Sequence, residues 1–309
     1  MIRITEEDVL RLLPMREAVR LVRESFEKLA TGEATNQARR RLVLPTGSVL
    51  HQLAGSFGAY FGCKIYSTHV RHGANFLVLL YDAATARPLA IIDANHLGQI
   101  RTGAASGVAT DLMSRPESST LGLIGTGFQA RTQVEAVLTV RDIRQVRVWS
   151  RSAERRETFA RECATTFDRE VIAANTAEEA VRDAAVVVTA TYAKDPVLDA
   201  EWIAPGTHVN AIGSNNPQRR EIPPELVARA ETIAVDSIDQ ARTESGDLLL
   251  AWSEADWASP RLVELQEIAS GKRPGRSSQD GVTIFKSNGL GVQDIAVAGY
   301  VFSLTQAGS

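Results

Sequence analysis

The sequence predicts an α/β fold: a doubly wound parallel sheet that follows a smaller α+β unit. Three observations lead there. A chain of 309 residues is too long for one ordinary core. Beyond Ser119, short apolar segments alternate with helical or polar ones, the rhythm of parallel strands joined by crossover helices. Before Ser114 the apolar segments instead follow one another through short turns, as in an antiparallel or mixed sheet.

Taken in order, Thr5 with Glu6, Glu7 and Asp8 reads as a helix N-cap with acids in its first turn. Pro14 restarts a helix in which Ala18, Val22, Phe26 and Leu29 recur at helical spacing, and Gly32 ends it. Strands are expected at 41–44, 50–54, 60–66, 75–81 and 89–92, with a turn over 82–88. An Ala-rich helix over 98–113 closes this part, and the Arg115-Pro116-Glu117-Ser118-Ser119 segment reads as a hinge. The second part supplies strands at 120–124, 145–149, 171–173, 185–190, 208–212 and 232–235. A last strand at 282–285 and a closing helix from about Gln293 complete the chain, and 271–278 reads as a loop.

Charge and composition exclude several classes. The net charge of −3 gives no electrostatic case for nucleic acid or a membrane surface. The longest apolar runs, such as 76–80 and 184–188, are strand-sized and too short to span a bilayer. The polar, acidic N-terminus does not read as a secretory signal. Cys63 and Cys163 are far apart, and His51, His69, His72, His96 and His208 show no metal-ligand spacing. The expectation is a cytoplasmic protein without a metal or a disulfide framework.

The segment Gly125-Thr126-Gly127-Phe128-Gln129-Ala130 follows a strand and opens a helix, the context that a G-x-G-x-x-A dinucleotide fingerprint requires. Gly125 permits the tight turn, and Gly127 lets the backbone approach a pyrophosphate. Ala130 keeps the helix close to the sheet, and the helix N-terminus offers N–H donors to phosphate. The sheet is thereby read as a Rossmann domain. NAD enzymes usually end the next strand with an acid for the ribose 2′-hydroxyl. Here Ser150 and Arg151 stand there, with Arg155 and Arg156 beyond, so NADP(H) is favoured and NAD(H) is the alternative. Thr191, Ala211 and Ile212 lie at carboxyl ends of later strands, the rim where open parallel sheets bind ligands.

The first part carries cations in apolar company: Arg39-Arg40-Arg41, Lys64 between Cys63 and Ile65, and Arg101. A lysine so placed either snorkels outward or meets an anion. Beside a nicotinamide-type site, these cations suggest a binding place for a small carboxylate.

With these blocks in order, the chain resembles the ornithine cyclodeaminase/mu-crystallin family over essentially its full length. The blocks are Arg39-Arg-Arg-Leu, Gly62-Cys-Lys64, Tyr81-Asp-Ala-Ala-Thr, Arg101-Thr-Gly-Ala-Ala-Ser and Gly125-Thr-Gly-Phe-Gln129. They continue through Asn210-Ala-Ile-Gly-Ser, Glu244-Ser-Gly-Asp and Thr283-Ile-Phe-Lys-Ser287-Asn-Gly-Leu-Gly-Val-Gln-Asp294. The resemblance implies a homodimer whose subunit joins a Rossmann domain, residues 116–293, to a substrate-binding and dimerisation domain. The latter covers residues 1–115 and is completed by about 294–309. It implies that Arg39, Lys64 and Arg101 handle the substrate, Arg101 also meeting the cofactor. Phe128, Gln129, Ser150, Thr191, Ala211, Arg219 and Ser287 would contact the cofactor, and Asn288 the substrate.

Two departures separate this chain from true ornithine cyclodeaminases. Where these look for carboxylates, it has His51 and Asn215, and the amide of Asn215 cannot act as a general base. The Met-Pro dipeptide usual after this region is replaced by Leu53-Ala54. The resemblance therefore points to the reductase and dehydrogenase branch: an enzyme that reduces the imine of a 2-oxo acid by hydride transfer to C2. Lys64 is the expected proton donor, His51 the second candidate, and Asn215 joins the substrate-binding set. The alternatives are an ornithine cyclodeaminase, an opine-type dehydrogenase and a non-catalytic NADPH-dependent ligand-binding protein.

Overall fold

The computed structural model describes residues 1–69 and 71–307. The chain opens with β1 (Ile2–Ile4), α1 (Glu6–Leu12), α2 (Met15–Thr31), β2 (Thr35–Asn36) and β3 (Arg40–Val43). Long strands β4 (Ser48–Phe57), β5 (Tyr60–His69) and β6 (Gly73–Asp82) come next, then β7 (Pro88–Asp93) and α3 (Asn95–Met113). The βα alternation begins with β8 (Thr120–Ile124), α4 (Ala130–Val140), β9 (Gln145–Trp149), α5 (Ala153–Phe167) and β10 (Glu170–Ala173). It continues through α6 (Ala177–Val181), β11 (Val186–Thr189), β12 (His208–Ala211), α7 (Pro224–Arg229) and β13 (Thr232–Val235). After the short helices α8 (Ile238–Glu244) and α9 (Gly246–Leu249) follow β14 (Leu262–Glu264) and α10 (Leu265–Ala269). The chain ends with β15 (Thr283–Lys286) and α11 (Gly291–Ala307).

The chain forms two compact units, Met1–Ala104 with Gly289–Ser309, and Ala105–Asn288. The sequence expectation put these boundaries at 115/116 and 293/294, and the structure moves both. Helix α3 ends at Met113, ahead of Pro116, and from Ala105 onward it already belongs to the second unit. There Asn210 donates to Thr110 Oγ1 at 2.9 Å and Thr283 Oγ1 to the Met113 carbonyl at 3.1 Å.

In the first unit the sheet order is β1-β7-β6-β5-β4-β2, with β3 also paired to β4. Only β1 and β7 run parallel, so the sheet is mixed. One face buries Leu53, Val78, Leu80 and Ile92; α11 packs on β4, β5 and β6, and α2 packs on α11. A Cβ at Gly55 would lie 2.6 Å from the Val292 amide nitrogen, and one at Gly291 only 2.7 Å from the Ala54 carbonyl oxygen. Two glycines thus let the start of α11 meet β4 backbone to backbone, which fixes the residues that follow on the helix. Thr5 and Asp8 form the expected cap as a reciprocal capping box. Helix α3 begins at Asn95 rather than Gly98, because its first N–H groups are capped from a distance. The carboxylate of Glu6 accepts from the amides of Asn95 at 2.8 Å and His96 at 2.9 Å.

The second unit is one parallel sheet in the order β10-β9-β8-β11-β12-β15-β13-β14. From β8 the chain winds outward through β9 and β10, then returns to β11 on the other side. Between β8 and β11 lies the switch point, where such sheets form a crevice at their carboxyl ends. Apolar cores fill both faces, with Leu121, Val134, Val146 and Val186 on one, and Val187, Val209, Leu226 and Ile233 on the other. Strands β1, β2 and β14 have no counterpart in the sequence reading; at two or three residues each they are too short for a periodic signal. Among the described residues no helix is long and apolar enough to cross a membrane.

Candidate active site

The first unit gathers charge where a core would normally exclude it. Lys64 sits on β5 with its side chain on the covered face of the sheet and is almost fully buried. Its Nζ donates to Asp294 Oδ1 at 2.9 Å, and Oδ2 stands equally near as an ion-pair contact. Arg101 of α3 donates through Nε to the same Oδ1 at 2.9 Å and through its terminal nitrogen to Gln293 Oε1 at 3.3 Å. The three charged side chains are 3%, 8% and 0% exposed, so water screens them little. Arg39, ahead of β3, acts electrostatically on both Lys64 and His51. Burial, then Arg101, pushes the Lys64 ammonium down to about 7, while Asp294 pulls the other way. One acid against three cations leaves a local positive excess suited to a carboxylate, and Lys64 exchanges its proton near neutral pH.

His51, on β4 opposite Tyr66 of β5, stacks on that ring at 4.2 Å, and its Nε2 pairs with Thr68 Oγ1 at 2.9 Å. Burial, then Arg41 and Arg39, lowers its pKa to about 4. The ring is therefore neutral at pH 7.

In the second unit Gly125 adopts φ +108°, a conformation that favours glycine, and a Cβ there would lie 2.5 Å from the Ala190 carbonyl oxygen. A Cβ at Gly127 would meet no protein atom within 4 Å, so protein packing does not demand that glycine. The space faces a cavity of about 1150 Å³ lined by Gly125, Gly127, Ser150, Arg151, Thr191 and Arg219. Helix α4 has Gln129 at its N-cap without a side-chain cap bond, which leaves its N-terminus available to an anion. Arg151 and Arg155 both line the cavity and are exposed, while Arg156 turns inward to donate to the Ser150 carbonyl at 3.2 Å. The residues fit a dinucleotide: a glycine turn, an uncapped helix start, and guanidinium groups beside the residue that would meet the ribose.

Several expected cofactor residues lie outside the lining of this cavity. Phe128, Gln129, Ala211, Ile212 and Ser287 do not line it. Phe128 is exposed, Ala211 and Ile212 are buried, and Ser287 donates to Asp236 Oδ2 at 3.0 Å. Asn288 accepts from Ser245 Oγ at 2.6 Å, and Asn215 is exposed in the loop after β12. Thr191 and Gly213 are held from beneath. Glu221 accepts from the Thr191 amide and hydroxyl at 2.6 and 2.7 Å and from the Gly213 amide at 2.6 Å. Asp247 accepts from the amides of Glu221 and Ile222, and Lys286 Nζ stands 3.1 Å from its other oxygen. Burial and the neighbouring Asp247 raise the pKa of Glu221. Sequence reasoning assigned no role to Asp294, Glu221, Asp247 or Lys286. A signal existed: charges inside otherwise apolar segments, as in Thr283–Lys286 and Gly291–Ala307, must find partners. Among the described residues no group of three His, Cys, Asp or Glu side chains could hold a metal.

The class this architecture defines is a two-unit α/β protein with a dinucleotide-type crevice and a buried cationic cluster. The chain belongs to the ornithine cyclodeaminase/mu-crystallin family, whose model matches residues 2–309. It is 41% identical over 229 residues to a Delta(1)-pyrroline-2-carboxylate reductase of Bacillus cereus, covering 74% of this chain and 70% of the relative. The Thermococcus litoralis Delta(1)-pyrroline-2-carboxylate reductase, solved with NADH and L-proline, superposes with a TM-score of 0.95. It is 29% identical, with 100% of this chain and 98% of that one covered. An archaeal alanine dehydrogenase dimer with bound NAD gives 0.93 at 32% identity, covering 99% and 96%.

Proposed function

We propose that this protein is an NAD(P)H-dependent oxidoreductase that reduces the C=N bond of a 2-imino acid, or runs the reverse oxidation of the amino acid. The observation that carries the reading is the buried Lys64–Asp294–Arg101 cluster with its cationic excess. The similar proteins reduce pyrroline-2-carboxylate or dehydrogenate alanine by name, and both reactions join a carboxylate to a reacting C–N bond. Arg101 and Arg39 hold and orient the substrate carboxylate, and Lys64 supplies a proton to the nitrogen. A bound reduced dinucleotide supplies the hydride for C2. His51 is assigned to packing and orientation rather than proton transfer, since a ring with a pKa about 4 carries no proton to give at pH 7. That same neutral ring and the amide of Asn215 disfavour a cyclodeaminase, whose diamine would need carboxylates at both places.

For the cofactor we infer NADP(H) ahead of NAD(H), supported by Arg151 and Arg155 at the cavity and by the absence of an acid at Ser150. The bound NADH and NAD of the similar structures show that the family also accommodates the unphosphorylated form. Two free thiols and the family's chemistry support a cytoplasmic setting. We also infer a homodimer. On the outer face of the first sheet, the cross-strand pairs Phe61–Tyr81, Cys63–Leu79 and Ile65–Leu77 form an apolar patch, with Phe61 36% and Leu77 41% exposed. Sedimentation of wild type against Phe61→Lys with Leu77→Lys tests it, and a wild-type monomer would end that reading.

The decisive experiment follows NADPH and NADH oxidation with cyclic 2-imino acids and with 2-oxo acids plus ammonia or methylamine. Turnover with at least one cyclic imino acid is expected. Flat traces throughout, with ammonia released from ornithine without reductant, would replace the reading by a cyclodeaminase.

A further inference from the structure

Asp294 is a fully buried carboxylate in the first turn of α11, where the helix dipole favours negative charge. Its Oδ1 accepts from both cations that the proposed chemistry uses, Lys64 and Arg101, and Oδ2 makes only an ion-pair contact with Lys64. The charged groups that act on Lys64 come from three directions: Arg101 from α3, Arg39 from the segment before β3, and Asp294 from α11. On its own strand, the Tyr66 ring lies 5.8 Å from Nζ and the Cys63 thiol is its neighbour. Among these groups Asp294 is the sole acid, so it alone opposes the loss of the lysine proton. Its place is fixed independently of charge by the backbone contact of Gly55 and Gly291, which pins the start of α11 on β4.

We propose that Asp294 is the positioning residue of this site: it keeps Lys64 as an ammonium, aligned beside Arg101, so that the lysine delivers the proton to the substrate nitrogen. The inference rests on the imine-reductase reading. In the proton step an N–H bond of the Lys64 ammonium breaks and one to the imine nitrogen forms. Lysine is left as the amine and regains its proton from water. The hydride that completes the reduction comes from the dinucleotide, which is oxidised. With Lys64 pushed down to about 7, both protonation states are reached near neutral pH.

The test is Asp294→Asn, which keeps the shape and removes the charge. Loss of a facing carboxylate lowers an amine's pKa by about one to three units, so the alkaline limb of kcat/KM should move down by that amount. The deficit should then be severe at high pH and shrink toward low pH, where Lys64 is protonated without help. An unmoved limb, or a deficit equal at every pH, would overturn the proposal. Carbon-13 NMR of labelled lysines reads the same midpoint without turnover. The chain's lysines are Lys28, Lys64, Lys194, Lys272 and Lys286, and Lys64→Met identifies the signal. A lower midpoint in Asp294→Asn supports the proposal even if no imino acid is reduced, which separates its failure from that of the functional reading. If Asp294→Asn does not fold, wild type carries the test. The Asp294 carboxyl resonance must then move at the Lys64 midpoint, and independent movement overturns the idea.

Discussion

Each unit of this protein buries one lysine against an aspartate, and the two are built for opposite ends. Lys64 shares Asp294 with Arg101 and feels Arg39, so cations outnumber acids around it. Lys286, fully buried at the end of β15, stands beside Asp247 and near Glu221 and donates to the carbonyls of Ala211 at 3.4 Å and Ser214 at 2.5 Å. Acids and carbonyls surround it on a rim that it ties together. Burial alone does not make a lysine reactive. The neighbours decide what it does: around Lys64 cations outnumber acids, whereas Lys286 is enclosed by acids and carbonyls that it bridges.

The strongest way to break the comparison is to remove each lysine. Lys64→Ala should lower kcat/KM by about 10²- to 10⁴-fold, the usual worth of a general acid, with dinucleotide binding intact by fluorescence titration. Lys286→Met should act on folding instead. Leaving Asp247 and Glu221 buried without their cation should destabilise the protein by about 3–5 kcal/mol, read from denaturant unfolding. If Lys286→Met kept wild-type stability and lost only turnover, the two lysines would not differ as argued.

A smaller effect is expected at the cavity. Arg151→Ala with Arg155→Ala should raise KM for NADPH by roughly 10- to 100-fold, the worth of one charge-assisted contact, and change that for NADH little. Equal losses for both cofactors would remove the case for a 2′-phosphate. Histidines sharpen the contrast further. His208 is fully buried, bonded to Thr283 at 2.9 Å and Asn210, and burial lowers its pKa to about 3. A depressed folded-state value means that the unfolded chain alone binds the proton between about 6.5 and 3. Stability is therefore full above pH 6.5 and falls by at most about 1.4 kcal/mol per pH unit below it. Calorimetry of His208→Gln against wild type from pH 7 to about pH 4 should show a shallower decline in Tm for the variant. The smallest effect belongs to His51: His51→Gln should leave no trace near pH 6.5 in the kcat profile, since its ring titrates near 4. Loss of a limb near 6.5 would restore it as a proton carrier.

Much of the fold was legible because its signals are local. Strands 120–124, 145–149 and 232–235 coincide with β8, β9 and β13, since each is an apolar run bounded by turns. The tight glycine turn at Gly125, with its positive φ, was legible for the same reason. The start of α3 was not, because its cap, Glu6, comes from another helix. Nor was the unit boundary, which depends on what the second half of α3 packs against. In the site, Lys64 and Arg101 stand out in the sequence as cations in apolar company, and Asp294 is likewise a charge in an apolar helix. Sequence showed that each needed a partner and could not show that they were one another's.

The α/β class, the glycine turn and the family are written along the chain, because periodicity, glycine conformation and motif order are properties of neighbouring residues. The chemistry of the charges is a tertiary property. A pKa depends on burial and on facing groups, and those arrive from β5, α3 and α11, segments separated by as many as 230 residues.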